Sequence, residues 1–153
     1  MPDVDLHAAV TAQLRDEVGC LALALDALIG AVDSRAADRV HAQAPRWAAN
    51  ILGDDDKLAA QTVIDIMCVI GADAGQPTEW WATPLGRAVA RSVGHPTADV
   101  VSYSVAGAML GYSKQAVHKM VKTGRLTAGD SGGVTVASVQ AMIRAADITD
   151  TAH

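Results

Sequence analysis

The side chains best suited to binding chemistry lie close together, between residues 113 and 125. They are Ser113, Lys114, Gln115, His118, Lys119, Lys122 and Arg125. On a helix, with about 100° per residue, four of them fall within an arc of about 100°: Gln115, His118, Lys119 and Lys122. Lysine binds phosphates or the O6 and N7 atoms of guanine, and glutamine can form two hydrogen bonds to adenine. This arc therefore has the chemistry of a surface that enters the major groove of DNA. A solvated polar face is the alternative, but the arc holds no acidic residue although the chain has 17 acidic and 12 basic residues.

Two short helices are predicted to position this arc. Ser104 is expected to cap the first, whose inner side carries Val105, Ala106, Met109 and Leu110. Gly111 ends that helix in a left-handed turn, and Ser113 caps the second helix. The inner side of the second helix is predicted to carry Ser113, Val117, Met120 and Val121. Two such helices joined by a tight turn form a helix-turn-helix.

A hairpin is predicted to follow. Two β-prone segments, residues 125–127 and 134–136, flank the glycine-rich residues 129–133, which indicates a hairpin that would serve as a wing. A phosphate-binding loop is excluded because no lysine ends this segment and the Walker spacing is absent. Ser138 is expected to cap a last helix that carries Val139, Met142 and Ile143.

Residues 103–144 resemble the excisionase/MerR-type winged helix-turn-helix family. The resemblance rests on Leu110-Gly111, Ser113, Val117, Gly124 and Leu126. It implies that the positions Lys114, Gln115, His118, Lys119 and Lys122 contact DNA, and that Arg125 and the wing touch the DNA backbone or minor groove. The chain departs from the pattern in two ways. Gly107 occupies a position that usually favours helix, and no Lys or Arg occurs between Arg125 and Arg144.

Charge is distributed unevenly along the chain. Residues 1–98 hold seven basic and thirteen acidic residues, a formal charge of −6, whereas residues 99–146 hold five basic and two acidic residues, a charge of +3. Three of the four lysines fall between residues 114 and 122. An acidic body that carries a basic end is compatible with nucleic-acid binding by that end.

The acidic body is predicted to be helical. An apolar seam with spacings of three and four, Leu6, Val10, Leu14, Val18, Leu21, Leu25, Leu28 and Val32, indicates a long amphipathic helix or short coiled coil that Gly30 and Asp33-Ser34 close. Ser34 is expected to cap a second helix that ends at Pro45, before a separate helical piece that stops at Gly53. Asp54-Asp55-Asp56 is interpreted as the start of a third helix rather than as a metal or phosphate cluster. That helix is apolar on most of its circumference, so we expect it at the buried centre of a bundle.

A turn at Gly75-Gln76-Pro77 is expected to precede the pair Trp80-Trp81, which is interpreted as core packing rather than as a partner-binding hot spot. Thr83 and Pro84 then predict a helix start, and that helix should end at Gly94. The overall prediction is a mainly α protein, an N-terminal helical bundle followed by a C-terminal winged helix-turn-helix with a small β-hairpin wing. Its parts are a helical body (1–94), a linker (95–102), a DNA-binding domain (103–146) and a tail (147–153).

An enzyme is not expected. The five histidines are scattered, and Cys20 and Cys68 are too far apart in sequence for a metal or redox motif and are interpreted as buried thiols. The sequence therefore predicts no catalytic residue, no cofactor and no metal. Without a signal peptide or an apolar run of membrane-spanning length, the expected location is the cytoplasm, with no membrane contact.

The expected function is sequence-specific binding of double-stranded DNA, as a transcriptional regulator or phage-type repressor. We expect a homodimer formed through the N-terminal helices. Two alternatives stay open at this point. One is an excisionase-like architectural recombination factor, and the other is an antitoxin-like protein whose helical body binds a protein partner.

Overall fold

The computed structural model describes residues 2–30, 35–71 and 76–151, with side chains described for residues 5–30, 35–71 and 76–146. The described part is mainly helical, as predicted. It contains α1 (Pro2–Leu28), α2 (Ala36–Leu52), α3 (Asp56–Ile70), a 3₁₀ helix (Thr78–Ala82), α4 (Pro84–Val93), β1 (Val100–Val101), α5 (Tyr103–Leu110), α6 (Lys114–Lys122), β2 (Val134–Thr135) and α7 (Val136–Thr151). None of these helices is long and apolar enough to cross a membrane.

The chain divides into two compact units, Met1–Ala72 and Asp73–His153. This division differs from the predicted boundary, because α4 lies in the second unit. The side chain of Gln140 on α7 donates to the carbonyls of Arg91 and Ser92 at the end of α4, at 3.0 and 3.1 Å. The predicted linker also belongs to the second unit, since β1 lies within it. Pro96 prevents the helix from continuing, but it does not separate the chain into domains.

The apolar seam of α1 is only partly buried. Val10, Leu14 and Val18 pack against α2 and α3, whereas the seam residues Leu6, Leu21, Leu25 and Leu28 are exposed. Val32 lies outside the described residues. The helix α3 is too short to follow the whole seam, because its 15 residues span about 22 Å whereas the 27 residues of α1 span about 40 Å. One short helix cannot cover the whole seam.

The helix α2 continues through Pro45, so the helix end predicted there is wrong. A proline within a helix leaves the carbonyl four residues earlier without its amide donor. That carbonyl belongs to His41, and Arg15 on α1 donates its Nε to it at 3.1 Å. The neighbouring helix thus replaces the hydrogen bond that Pro45 removes.

The start of α2 is also stabilised from α1. The predicted cap, Ser34, lies outside the described residues. The carboxylate of Asp26 instead accepts hydrogen bonds from the backbone amides of Ala36 and Ala37, each at 3.1 Å. A carboxylate at this end of a helix satisfies free amides and interacts favourably with the helix dipole.

The start of α3 agrees with the prediction, because Asp55 caps it by accepting from the amide of Leu58 at 3.0 Å. The burial of α3 does not agree. One face is buried, while Leu58, Ile64 and Val69 are exposed, so α3 is not the enclosed centre of a bundle. The predicted burial of both thiols is also wrong, because Cys20 on α1 and Cys68 on α3 are exposed.

Two tryptophans lie in the core of the second unit. Trp80 and Trp81 are buried and pack edge to face, with ring centroids 5.0 Å apart, which confirms the core interpretation. Thr83 caps α4 by accepting from the amide of Gly86, and Pro84 occupies the first turn, as predicted. A Cβ atom on Gly86 would collide with the backbone of Trp80, so α4 can approach the 3₁₀ helix closely only with glycine there.

Candidate nucleic-acid interface

The helices α5 and α6 are joined by three residues, 111–113. The cap of α5 is Ser102, whose hydroxyl accepts from the amide of Val105 at 3.1 Å; the predicted cap, Ser104, lies inside the helix. Gly111 ends α5 with a φ of 80°, the left-handed conformation expected of it. The amides of Gly111 and Tyr112 both donate to the carbonyl of Gly107, at 2.8 and 2.9 Å. The turn is therefore fixed directly onto the preceding helix.

The turn after α5 explains the glycine at position 107. A Cβ atom at this position would lie 2.5 Å from the carbonyl oxygen of Tyr112. Real Cβ atoms essentially never approach another heavy atom that closely. Glycine is therefore required for the turn to fold back onto α5.

The helix α6 begins at the predicted cap, because the Ser113 hydroxyl accepts from the amide of Ala116 at 3.1 Å. Its inner face is formed by Val117 and Met120, which are buried, and Val121, which is half-buried. Ser113 is exposed rather than part of the inner face. The other predicted binding residues are also exposed: Lys114, Gln115, His118, Lys119, Lys122 and Arg125. The structure brings all seven together on α6 and at its two ends.

The end of α6 is held by a left-handed glycine. Gly124 has a φ of 79°, and its amide donates to the carbonyl of Val121 at 3.2 Å. The amide of Arg125 donates to the carbonyl of Met120 at 2.9 Å, which completes the Schellman pattern of helix ends. Leu126 is buried immediately afterwards, so Arg125 is held exposed at the end of α6 by its neighbours.

The predicted hairpin region forms a small β arrangement that differs in its pairing. Backbone hydrogen bonds join Gly129 to Gly133 and Thr135 to Thr127, at 3.1 and 2.9 Å. Residues 125–127 form no strand; this side of the hairpin has only isolated bridges, from Ala128 to Val134 and from Asp130 to Gly132. The strand partner of β2 is β1, in antiparallel register with Val100 opposite Thr135 and Val101 opposite Val134. This pairing was missed because β1 lies about 34 residues earlier, in the predicted linker.

The start of α7 also differs from the prediction. The helix begins at Val136, two residues before the expected cap, Ser138. The Ser138 hydroxyl accepts from the amide of Thr127 at 3.2 Å and donates to the carbonyl of Thr135 at 2.9 Å. Ser138 thus ties the chain that leaves α6 to α7 instead of capping a helix.

His118 occupies a special place on the outer face of α6. Its ring stacks on Tyr103 of α5, with centroids 4.0 Å apart and planes inclined by 27°. The stack lies at one edge of the predicted arc and fixes the orientation of the imidazole relative to α5. Of the residues in the arc, His118 is therefore the one held by a side chain of another helix.

Electrostatics favours an anionic ligand for this surface. The segment from residue 100 to residue 129 contains Lys114, Lys119, Lys122 and Arg125 and no acidic residue. Arg144, which contributed to the basic count in the sequence analysis, has a different role. Its Nε and a terminal nitrogen donate to the carbonyls of Arg91 and Ser92 at the end of α4, at 3.2 and 3.3 Å.

One basic residue beside this surface was not predicted from the sequence. Arg87 of α4 is exposed, and its guanidinium lies next to Gly111 in the turn before α6. The sequence contained no local signal for this, because α4 was assigned to the N-terminal body. Only the packing of α4 in the second unit brings Arg87 to the turn.

In the part of the chain that the structure describes, no group of three or more His, Cys, Asp or Glu side chains is placed to hold a metal ion. Comparison of the chain with protein-family models, with curated proteins and with solved structures finds no significant match.

Proposed function

We propose that this chain is a sequence-specific double-stranded DNA-binding protein that acts as a transcriptional regulator of the repressor type. In this proposal α5, α6 and the hairpin of residues 127–135 work as a winged helix-turn-helix. The observation that supports it most is the outer face of α6, where Gln115, Lys119 and Lys122 are exposed together with no acidic residue between residues 100 and 129.

In this proposal the side chains of α6 have different roles in DNA binding. Val117 and Met120 anchor the helix to its own unit, so the opposite face enters the major groove. Gln115 and Lys119, in the first two turns, contact base edges. Lys122 and Arg125, at the end of the helix, contact phosphates.

The test is binding of the full chain to genomic DNA fragments at low salt, followed by titration of a selected fragment and of random DNA. Gln115→Ala and Lys119→Ala should each weaken binding to the selected fragment by about 1–3 kcal/mol and change binding to random DNA little. Lys122→Ala should weaken both and lower the salt slope by about one unit.

Lys57 offers a matched control, because it is the one lysine outside α6 and lies on an exposed position of α3. Lys57→Ala removes the same charge and should leave both affinities unchanged. If no fragment binds the wild-type chain below micromolar protein, the DNA proposal is wrong. If Gln115→Ala and Lys119→Ala both leave the ratio of the two affinities unchanged in folded protein, α6 does not recognise sequence.

Footprinting of the selected sites separates a regulator from an architectural recombination factor. A dimeric regulator predicts an inverted repeat, whereas an architectural factor predicts tandem direct sites and strong bending.

The proposal includes a homodimer that forms through the first unit. The exposed seam residues Leu21, Leu25 and Leu28 continue the buried stripe of α1 beyond Val18. The only charged residue between residues 18 and 30 is Asp26, which binds the amides at the start of α2. In a unit with eleven acidic and five basic residues, this stretch lets two copies approach without repulsion between like charges. A second copy covers the stripe because the same apolar surface on both chains is self-complementary about a twofold axis.

Sedimentation velocity with Leu25→Glu tests the dimer. The stripe variant should be monomeric at concentrations where the wild-type chain dimerises. Leu23→Glu is the matched control, because Leu23 is also exposed but lies about 160° around α1 from Leu21. Equal dimerisation by both variants, or a wild-type monomer at tens of micromolar, would rule out this interface.

A further inference from the structure

A second basic feature lies at the opposite end of α6 from Lys122 and Arg125. It is the side chain of Arg87, which reaches from α4 to the turn between α5 and α6. One terminal nitrogen of its guanidinium lies 3.2 Å, and the other 3.8 Å, from the position that a Cβ atom on Gly111 would occupy. Glycine in the turn therefore leaves the space that the guanidinium occupies.

The guanidinium of Arg87 has no hydrogen-bond or ion-pair partner among the described residues. This distinguishes it from the other arginines that reach across between helices. Arg15 donates to the His41 carbonyl of α2, and Arg144 donates to a carbonyl at the end of α4. Arg87 is exposed beside the turn, and its guanidinium carries five N–H donors.

Tyr112 follows Gly111 in the turn that Arg87 of α4 approaches. Its side chain is 50% exposed although its ring is large and apolar. An exposed arginine and an exposed tyrosine thus both lie at this turn. Arginine binds phosphate with two parallel hydrogen bonds, and tyrosine hydroxyls donate to phosphate oxygens in protein–DNA complexes.

We propose that Arg87, assisted by Tyr112, binds a phosphate of the DNA backbone at the start of α6. This inference rests on the proposed function and adds a contact from a helix outside α5 and α6. The nine residues of α6 span about 13.5 Å, close to the 12 Å width of the major groove. Arg87 at one end and Lys122 with Arg125 at the other then contact the two strands that border the groove. These contacts fix the register of Gln115 and Lys119 on the bases between them.

The experiment measures the dissociation constant of the full chain for the selected fragment and for random DNA over a range of salt concentrations. Arg87→Gln should weaken binding to both DNAs by the same factor, roughly tenfold, and lower the salt slope by about one unit. Arg87→Lys keeps the charge but not the planar fork, so it should restore the salt slope and recover only part of the affinity. Tyr112→Phe should weaken both affinities by a smaller factor without changing the slope.

Arg39→Gln is the control, because Arg39 is exposed on α2 in the other unit and its loss should change neither affinity nor slope. The unfolding midpoint of each variant, followed by tryptophan fluorescence, distinguishes loss of a contact from loss of the fold. If Arg87→Gln is unfolded, Arg87→Lys and Tyr112→Phe decide the question.

The failures of the two proposals are distinguishable. If the wild-type chain binds no DNA, the proposed function is wrong and this inference falls with it. A different set of results overturns only this inference. In that case the wild-type chain binds, and Lys119→Ala loses its preference for the selected fragment. The folded Arg87 and Tyr112 variants, however, keep the wild-type affinity and salt slope.

Discussion

Replacement of Gly107 by alanine should have two opposing effects on the free energy of unfolding. Gly107 lies within α5, where alanine is favoured over glycine by about 1 kcal/mol of intrinsic helix propensity. On propensity alone, Gly107→Ala should stabilise the protein. The turn that follows α5 predicts the opposite result.

The size of the opposing effect follows from the geometry of the turn. The new Cβ atom would lie 2.5 Å from the Tyr112 carbonyl oxygen, about 0.9 Å closer than an ordinary van der Waals contact. The contacted atom is backbone and cannot rotate away. Moving it lengthens the hydrogen bonds from the amides of Gly111 and Tyr112 to the Gly107 carbonyl, each worth about 1 kcal/mol. With an overpacking cost of about 1–3 kcal/mol, we expect a net loss of about 1–3 kcal/mol in the free energy of unfolding.

Urea denaturation of the full chain measures this loss, followed by far-UV circular dichroism and tryptophan fluorescence. Trp80 and Trp81 lie in the same unit as Gly107 and report on its unfolding. Gly19→Ala is the matched control. Gly19 also lies within a helix, but a Cβ atom there would be 4.0 Å from the nearest atom, which belongs to Val40. No clash opposes the higher helix propensity of alanine. The substitution should therefore stabilise the first unit by up to about 1 kcal/mol.

The reasoning is refuted if Gly107→Ala is as stable as the wild-type chain or more stable. That result would mean that the turn adapts at no cost, and that Gly107 is not required by the path from α5 to α6. A destabilised Gly19→Ala would instead show that the propensity side of the comparison was misjudged.

Two further predictions concern hydrogen bonds to a backbone carbonyl in the first unit and to an imidazole nitrogen in the second. Arg15→Met should lower the free energy of unfolding of the first unit by roughly 1 kcal/mol in urea denaturation, because the His41 carbonyl loses its donor. The same change in a Pro45→Ala background should cost less, since the new amide bonds that carbonyl; equal costs in both backgrounds would contradict this role. Burial lowers the pKa of His95 below its ordinary value of 6.5, and its Nδ1 accepts from two backbone amides. The neutral imidazole therefore stabilises the fold. This contribution is complete above about pH 6.5 and is lost as the pH falls through the lower pKa of the folded state. The midpoint of thermal unfolding of the second unit should therefore depend on pH between 7.5 and 5 more steeply in the wild-type chain than in His95→Asn. Asparagine keeps a hydrogen-bond acceptor that does not titrate in this range. Identical pH profiles of the two proteins would exclude His95 as the cause.

Local features of this protein were predictable because their partners lie within one helical turn. The caps Asp55, Thr83 and Ser113 each accept from an amide three residues later, so the residue type and its place before an apolar run were sufficient. Gly111 was predictable for a similar reason, since ending α5 in the left-handed conformation is a property of one residue. The exposed face of α6 followed from helical periodicity within nine residues.

Errors arose where the partner lies far along the chain. Pro45 suggested a helix end, and only Arg15, thirty residues away on α1, explains why α2 continues. The seam of α1 indicated an apolar face, but periodicity does not state how much of that face a shorter helix will cover. The same limit explains the exposed faces of α3 and the exposed thiols of Cys20 and Cys68.

The sequence by itself determined the mainly helical character, the capped starts of α3, α4 and α6 and the basic, acid-free face of α6, because these depend on residue type and on spacing within a few positions. The tertiary structure alone decided the division into units, the pairing of β1 with β2, the need for glycine at position 107 and the placement of Arg87 beside the turn. Each of these depends on which surfaces meet in space. Helical periodicity marks a surface as apolar or polar, but the choice of its neighbour depends on the shapes and lengths of all the elements that compete to cover it.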